Sequence, residues 1–421
     1  MAGPPLNRSA PAFASVTALF FAWGFICANN DPLVAALRRV FDLSYTEALL
    51  THIVFFAAFG IVSLPAAALL GRIGAIPTMM IALAGMIAGC LIVQTTVWAP
   101  HFLLLLGGLF VLAAGIVTLQ VGANPLAAAL GSPERSHFRL TLAQSFNALG
   151  VVAGVQFGAR LILGEPVFAG SEPLSEAARA AGLFAVQRAF LTIAMMVAVL
   201  MVTLWLVRRP IARAAPPAQR SPDIAGAFRS RWAVFGAVAL ALYVGAEVAI
   251  GSMMINFLAD ARTLGLSMAE AGAWLATFYW GGALVGRFAG SWLLTRVAAP
   301  RLLLAAALAA VLLCGAALLA PGPIAAGCAL GIGLFNSIMF PTIFSLTLER
   351  SAASPAATSG LLCVAISGGA MVPLLAGQVA DRAGLGWIFV VPLAAYLVVA
   401  LFAGSAGRAS PRTSMRLPLK L

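Results

Sequence analysis

Charge is scarce in this chain: 9% of its 421 residues are Asp, Glu, Lys or Arg and 62% are hydrophobic, where soluble domains carry about 25% charged residues. With a mean hydropathy of +1.02, a water-soluble globule is excluded. Acids are the rarer sign, 13 against 25 Lys and Arg. The resulting net charge of +12 would suit nucleic acid if the bases formed one patch, but they are scattered through short loops and tails, so no nucleic-acid partner is expected. Cys27, Cys90, Cys314, Cys328 and Cys363 lie in apolar runs without metal-ligand or paired spacing and read as small packing residues. A phosphate-binding Gly-Lys-Ser loop is missing, and no nucleophile and base stand together. Direct ATP coupling and enzymatic catalysis are therefore not expected, nor is any metal or cofactor. A cleavable leader is not expected either, because the first apolar run is long and holds Asn29, Asn30 and Asp31 near its middle.

What the chain has in abundance is long apolar runs, twelve of them, at residues 12–37, 46–70, 76–97, 99–130, 139–165, 183–208, 231–260, 268–294, 299–320, 322–350, 355–382 and 385–405. Each is long enough to cross roughly 30 Å of hydrocarbon as a helix. Helices are required because lipid offers unpaired backbone groups no partner. The predicted fold is thus an all-α membrane protein with the bilayer as its solvent. Arg72, Arg135, Arg139, Arg208, Arg209, Arg296, Arg301, Arg350, Arg408 and Lys420 fall on one side of this topology. The positive-inside rule then places both termini in the cytoplasm.

A basic linker containing Pro210, Pro216, Pro217 and Pro222 divides the runs six and six. The expected organisation is a six-helix bundle over 1–208, a cytoplasmic linker over 209–230, a second six-helix bundle over 231–405 and a basic tail over 406–421. The halves echo one another: Gly115, Gln120 and Pro125 keep the mutual spacing of Gly331, Asn336 and Pro341. Two such repeats imply a solute site between them near the midplane. The Gly150, Gly154, Gly158 and Gly282, Gly286, Gly290 series put glycine on one helix face, which close helix packing explains better than hinging.

Polar residues inside the spans carry the functional argument, since an ionised group at the bilayer centre costs about 2.5 to 3.5 kcal/mol and is not kept idle. Asp31 shares a helical face with Trp23, Cys27 and Asn30 ahead of Pro32, a kinked polar centre able to load and unload a proton. Gln120 and Asn124 lie one turn apart in span 4, and Gln144 and Asn147 lie similarly in span 5. Amides that donate and accept suit a hydroxyl-rich ligand, although any one of them could serve only as interhelical glue. Tyr243, Glu247 and Gly251 share a face of span 7; Trp280, Ala283 and Arg287 share one of span 8. Glu247 and Arg287 read either as ligand contacts and gate or as a buried charge pair. His52, His101 and His137 lie in outer thirds or at span ends and read as spectators.

At these residues the chain resembles the fucose:proton symporter family of the major facilitator superfamily. The likeness is carried by Phe20-Phe21-Ala22-Trp23-Gly24-Phe25 leading to Asn30-Asp31, by Ala123-Asn124-Pro125 and by Arg139 through Asn147. It continues in Tyr279-Trp280-Gly281-Gly282 before Gly286-Arg287, and in Gly333 through Ser345. The resemblance implies the two-bundle facilitator fold, import of hexoses with a cation, Asp31 in proton coupling and Asn147 in sugar binding. Gln120 stands where the fucose branch has a glutamate; Leu119-Gln120-Val121 and Tyr243 through Val248 look like the glucose/galactose branch. Coupling through position 120 is excluded, since an amide does not titrate.

The expected function is import of a hexose or amino sugar by cation-coupled alternating access, with a proton as coupling ion and sodium as the alternative. Asp31 would carry the proton. Asn30, Gln120, Asn124, Gln144, Asn147, Glu247, Trp280 and Asn336 would contact the sugar, and Glu247 with Arg287 would gate or pair. The expected partners are a small-molecule sugar and the lipid bilayer, with the chain working as a monomer. Export of amphipathic compounds is the nearest alternative, and a non-transporting sugar sensor a more distant one.

Overall fold

In the computed structural model, residues 10–28, 36, 40–41, 45–97, 101–161, 175–214 and 223–409 are described. These residues are overwhelmingly helical and contain no strand. Seven uninterrupted helices come first: α1 (Ala10–Ala28), α2 (Tyr45–Ile73), α3 (Ala75–Gln94), α4 (Phe102–Ala129), α5 (Ser136–Leu161), α6 (Glu176–Leu206) and α7 (Arg231–Ala259). Then α8 runs as Met268–Trp274, a π-helical turn Leu275–Trp280 and Gly281–Leu293, and α9 as Ala299–Leu319. The last three spans are jointed: α10 is Gly322–Asn336 and Met339–Arg350, α11 is Pro355–Ala365 and Gly368–Ala383, and α12 is Val390–Arg408 behind a 3-10 turn Leu385–Phe389. The twelve-span all-α architecture expected from the apolar runs is the one observed.

Nine of these spans are long and apolar enough to cross a membrane by that measure alone. The exceptions are α1, whose described apolar part is the shorter Ala12–Ala28, α5, and α8, which is interrupted by its π turn.

Local chemistry sets the ends. Ser175, Ser230, Ser267 and Ser354 cap α6, α7, α8 and α11 by accepting a backbone N–H, and Ser267 forms a reciprocal capping box with Glu270. Gly74, at φ 84°, makes the single-residue corner between α2 and α3 that other residues resist.

The chain divides into two compact units, Met1–Gly131 with Phe146–Ser221, and Ser132–Ser145 with Pro222–Leu421. Helix α5 is therefore shared, its first ten residues packing with the second unit. In the first unit α4 is the core, buried almost continuously from Gly115 to Ala128. Helix α5 reaches α1 through Gly150 and Gly154, which lie against the backbone of Phe21 and Phe25. In the second unit α7 packs on α10, α11 and α12, and Gly286 of α8 lies against Leu334 and Ser337 of α10. Both glycine stripes thus serve close helix approach.

Gly286→Leu should overpack the α8 to α10 contact and cost about 1 to 3 kcal/mol, read as a fall in the thermal midpoint of detergent-solubilised protein. Gly60, which has nothing within 4 Å of a Cβ, supplies the control. An equal loss for Gly60→Leu would show that the α8 contact is not the cause.

Candidate functional site

The second unit builds its polar centre on three helices. On α7, Tyr243, Glu247 and Gly251 recur every fourth residue and so share one face. On α8 the π turn inserts an extra residue, turning Tyr279 inward while Trp280 remains 43% exposed. Such turns are rare and concentrate at functional sites. Trp280 lies over Gly251: a Cβ there would stand 3.2 Å from the indole.

Helix α10 supplies the third side by breaking. Its first piece ends at Asn336 and its second starts at Met339. Pro341 has no N–H, so the carbonyl of Ser337, four residues back, lacks its helical donor. The Nε of Arg287 donates to that carbonyl at a long 3.3 Å. The Tyr243 hydroxyl donates to the carbonyl of Asn336 at 3.1 Å. Side chains from α7 and α8 thus cover the break, as a low-dielectric interior demands.

Around this joint the remaining polar atoms interlock. The amide Nδ2 of Asn336 donates to the Tyr279 hydroxyl at 3.0 Å, and that hydroxyl points at the Glu247 carbonyl at 3.4 Å. Tyr243, Tyr279 and Tyr396 are fully buried. Glu247 sits beside the Tyr243 hydroxyl and within electrostatic range of Arg287. Arg287 is engaged at Ser337 rather than in direct contact with Glu247. One carboxyl oxygen of Glu247, Oε1, is shut off from solvent without a hydrogen-bond partner. An acceptor in that state is costly unless a ligand supplies a donor.

The first unit holds its amides differently. Gln120 and Asn124 are buried one turn apart on α4. Asn147 is half-buried and its Nδ2 donates to the Phe20 carbonyl of α1 at 2.9 Å, with Gly24 lying directly against it. One of its two N–H donors is thus used in an interhelical bond. Gln144 is buried and belongs to the Ser132–Ser145 segment of the second unit. Asn30 and Asp31 lie outside the described residues.

Of the candidates, Glu247 and Asn336 come together through Tyr243 and Tyr279, Arg287 is attached to the residue after Asn336, and Trp280 lies one turn along α7 against Gly251. Sequence reasoning had not singled out Tyr279 or Tyr396 as site residues. The chain has only four tyrosines, and three of them falling within apolar runs of the second half was the available signal.

The comparisons with known proteins agree with this architecture. Residues 12–367 match the Major Facilitator Superfamily. A glucose/galactose transporter of Brucella abortus is 40% identical over 93% of each chain. The L-fucose-proton symporter of Escherichia coli is 28% identical over 93% of this chain and 92% of its own. A crystal structure of the E. coli fucose:proton symporter superposes with a TM-score of 0.84 at 27% identity, covering 96% of this chain and 100% of that one.

Pro341→Ala would return an N–H to the Ser337 carbonyl. The stability cost of Arg287→Met, measured by chemical or thermal unfolding in detergent, should then shrink by about 0.5 to 2 kcal/mol in the Pro341→Ala background. Strictly additive losses would show that Arg287 does not cap the break.

Proposed function

Because the chain belongs to the major facilitator superfamily, we propose that it imports a hexose or amino sugar by cation-coupled alternating access, with 1–208 rocking against 231–405. The observation that carries the sugar reading is the partnerless Oε1 of Glu247 on the helix face where Gly251, one turn on, lies against the 43% exposed Trp280. A sugar ring has apolar C–H faces that stack on an indole and hydroxyls that donate to a recessed carboxylate. Gln120, Asn124, Gln144 and Asn147 are the amides proposed to bind further hydroxyls. The names of the glucose/galactose relatives, from Brucella and Helicobacter, support glucose or galactose over fucose.

Asp31 is the proposed proton carrier, supported by its place in an otherwise apolar run. One proton entering down 100 mV supplies about 2.3 kcal/mol, or roughly fifty-fold accumulation. Orientation with the basic loops in the cytoplasm is supported by the charge asymmetry, and Arg208 and Arg296, stacked on Trp205 and Trp292 at 3.9 and 4.4 Å, suit span ends at a membrane interface.

In proteoliposomes, an inward proton gradient should drive accumulation of D-glucose or D-galactose. Asp31→Asn should abolish the uphill component while sparing exchange, and Trp280→Ala should weaken apparent affinity about ten-fold or more, the loss of one stacking face. Accumulation driven by sodium alone would reassign the ion. If no hexose moves and amphipathic dyes are extruded instead, the chain is an exporter.

A further inference from the structure

The sugar reading makes no use of His137, the second residue of α5. Its Nδ1 lies 2.7 Å from Ser345 Oγ and its Nε2 3.4 Å from Glu349 Oε2, both on the second piece of α10. Proton counting makes this arrangement informative. The Ser345 hydroxyl, with one hydrogen, lies 2.7 Å from the Pro341 carbonyl and 3.3 Å from that of Thr342, positions where it donates. The carboxylate of Glu349 only accepts, and Arg350 Nη1 already donates to it at 2.7 Å. A neutral imidazole has one N–H. Spent on Glu349, it draws the Ser345 hydrogen away from Pro341; spent on Ser345, it aims a lone pair at a carboxylate. Only the imidazolium donates to both neighbours and leaves Ser345 bonded to its own helix.

We propose that His137 is a proton-binding site, distinct from Asp31, which when loaded fastens the start of α5 to the second piece of α10. The charged groups around it are Glu349 and Arg350 from α10, Glu134 and Arg135 in the preceding turn, and Arg139 on its own helix. Arg139 is turned to the Ser132 carbonyl at 2.8 Å, and Arg350 Nε reaches the Ala406 carbonyl of α12 at 3.2 Å. Glu349 therefore keeps Arg350 when His137 gives up its proton, so release leaves no orphaned charge and the site is reversible.

The division of α5 gives this site its consequence. Residues Ser132–Ser145 pack with the second unit and the helix from Phe146 onward with the first. Rocking of one bundle against the other has to strain α5 at that junction or free its start. A loaded His137 opposes the freeing and an unloaded one permits it. On the basic-loop face, its occupancy follows cytoplasmic pH, so import slows as incoming protons acidify that compartment. This last step rests on the transport reading; the proton site does not.

Hydrogen exchange on the full chain in nanodiscs, without sugar, at about pH 5.5 and about pH 8, on either side of the ordinary histidine value, tests the site. After correction for intrinsic rates, segment 136–145 should exchange about ten-fold more slowly at the lower pH, the worth of one charge-assisted bond. His137→Gln should remove the pH dependence, and Glu349→Gln should reduce it. Equal protection of the unsubstituted protein at both values, or pH dependence that survives His137→Gln, overturns the proposal. Because no sugar is present, pH-dependent protection in a protein that moves no hexose would sink the transport reading alone. Proton-driven uptake with flat exchange would sink only the histidine site.

Discussion

In hydrocarbon every backbone carbonyl needs a donor, and the second unit is arranged around two carbonyls that lie where α10 breaks. Pro341 removes the helical donor of Ser337, and the chain turns between Asn336 and Met339. Arg287 and Tyr243 supply donors in its place. This requirement ties α7, α8 and α10 together at one level, and it brings Glu247, Tyr279 and Trp280 to the same place. It also accounts for an arginine inside a span: Arg287 completes the backbone of a neighbouring helix and lends Glu247 a distant countercharge.

The same constraint explains why polarity is confined. The first unit uses an amide where the second uses tyrosines: Asn147 donates to the Phe20 carbonyl of α1, close to where Gly24 lets the two helices touch. In each case a side chain that could meet a ligand is anchored by another helix. Such anchoring limits rotamer freedom and presents the remaining atoms in a fixed direction, which lowers the cost of binding. The glycine contacts of Gly150 and Gly286 make these short distances feasible.

Most of the fold was legible in the sequence because a bilayer imposes a strict length on apolar runs; the glycine stripes were equally plain because close packing needs a small residue every fourth position. The candidate site was legible as a set of residue types and less so as an arrangement. A regular helical wheel cannot place Tyr279, since the π turn Leu275–Trp280 shifts the register of α8. Arg287 was read against Glu247 because charge is visible in a sequence and a carbonyl left without a donor is not. Asn336 stood out as a polar group in a span, but its bond from Nδ2 to Tyr279 was not legible. His137 passed as a spectator because its partners lie 208 and 212 residues further along the chain. Contacts between such distant positions leave no periodic trace.

The account stands on the polar joint of α7, α8 and α10 being where ligand binds. The most direct measurement is an experimental structure of the protein with D-galactose or D-glucose bound. The predicted result is a sugar ring against the face of Trp280 with a hydroxyl in hydrogen-bond reach of Glu247 Oε1. A sugar bound with Glu247 and Trp280 out of reach would contradict it.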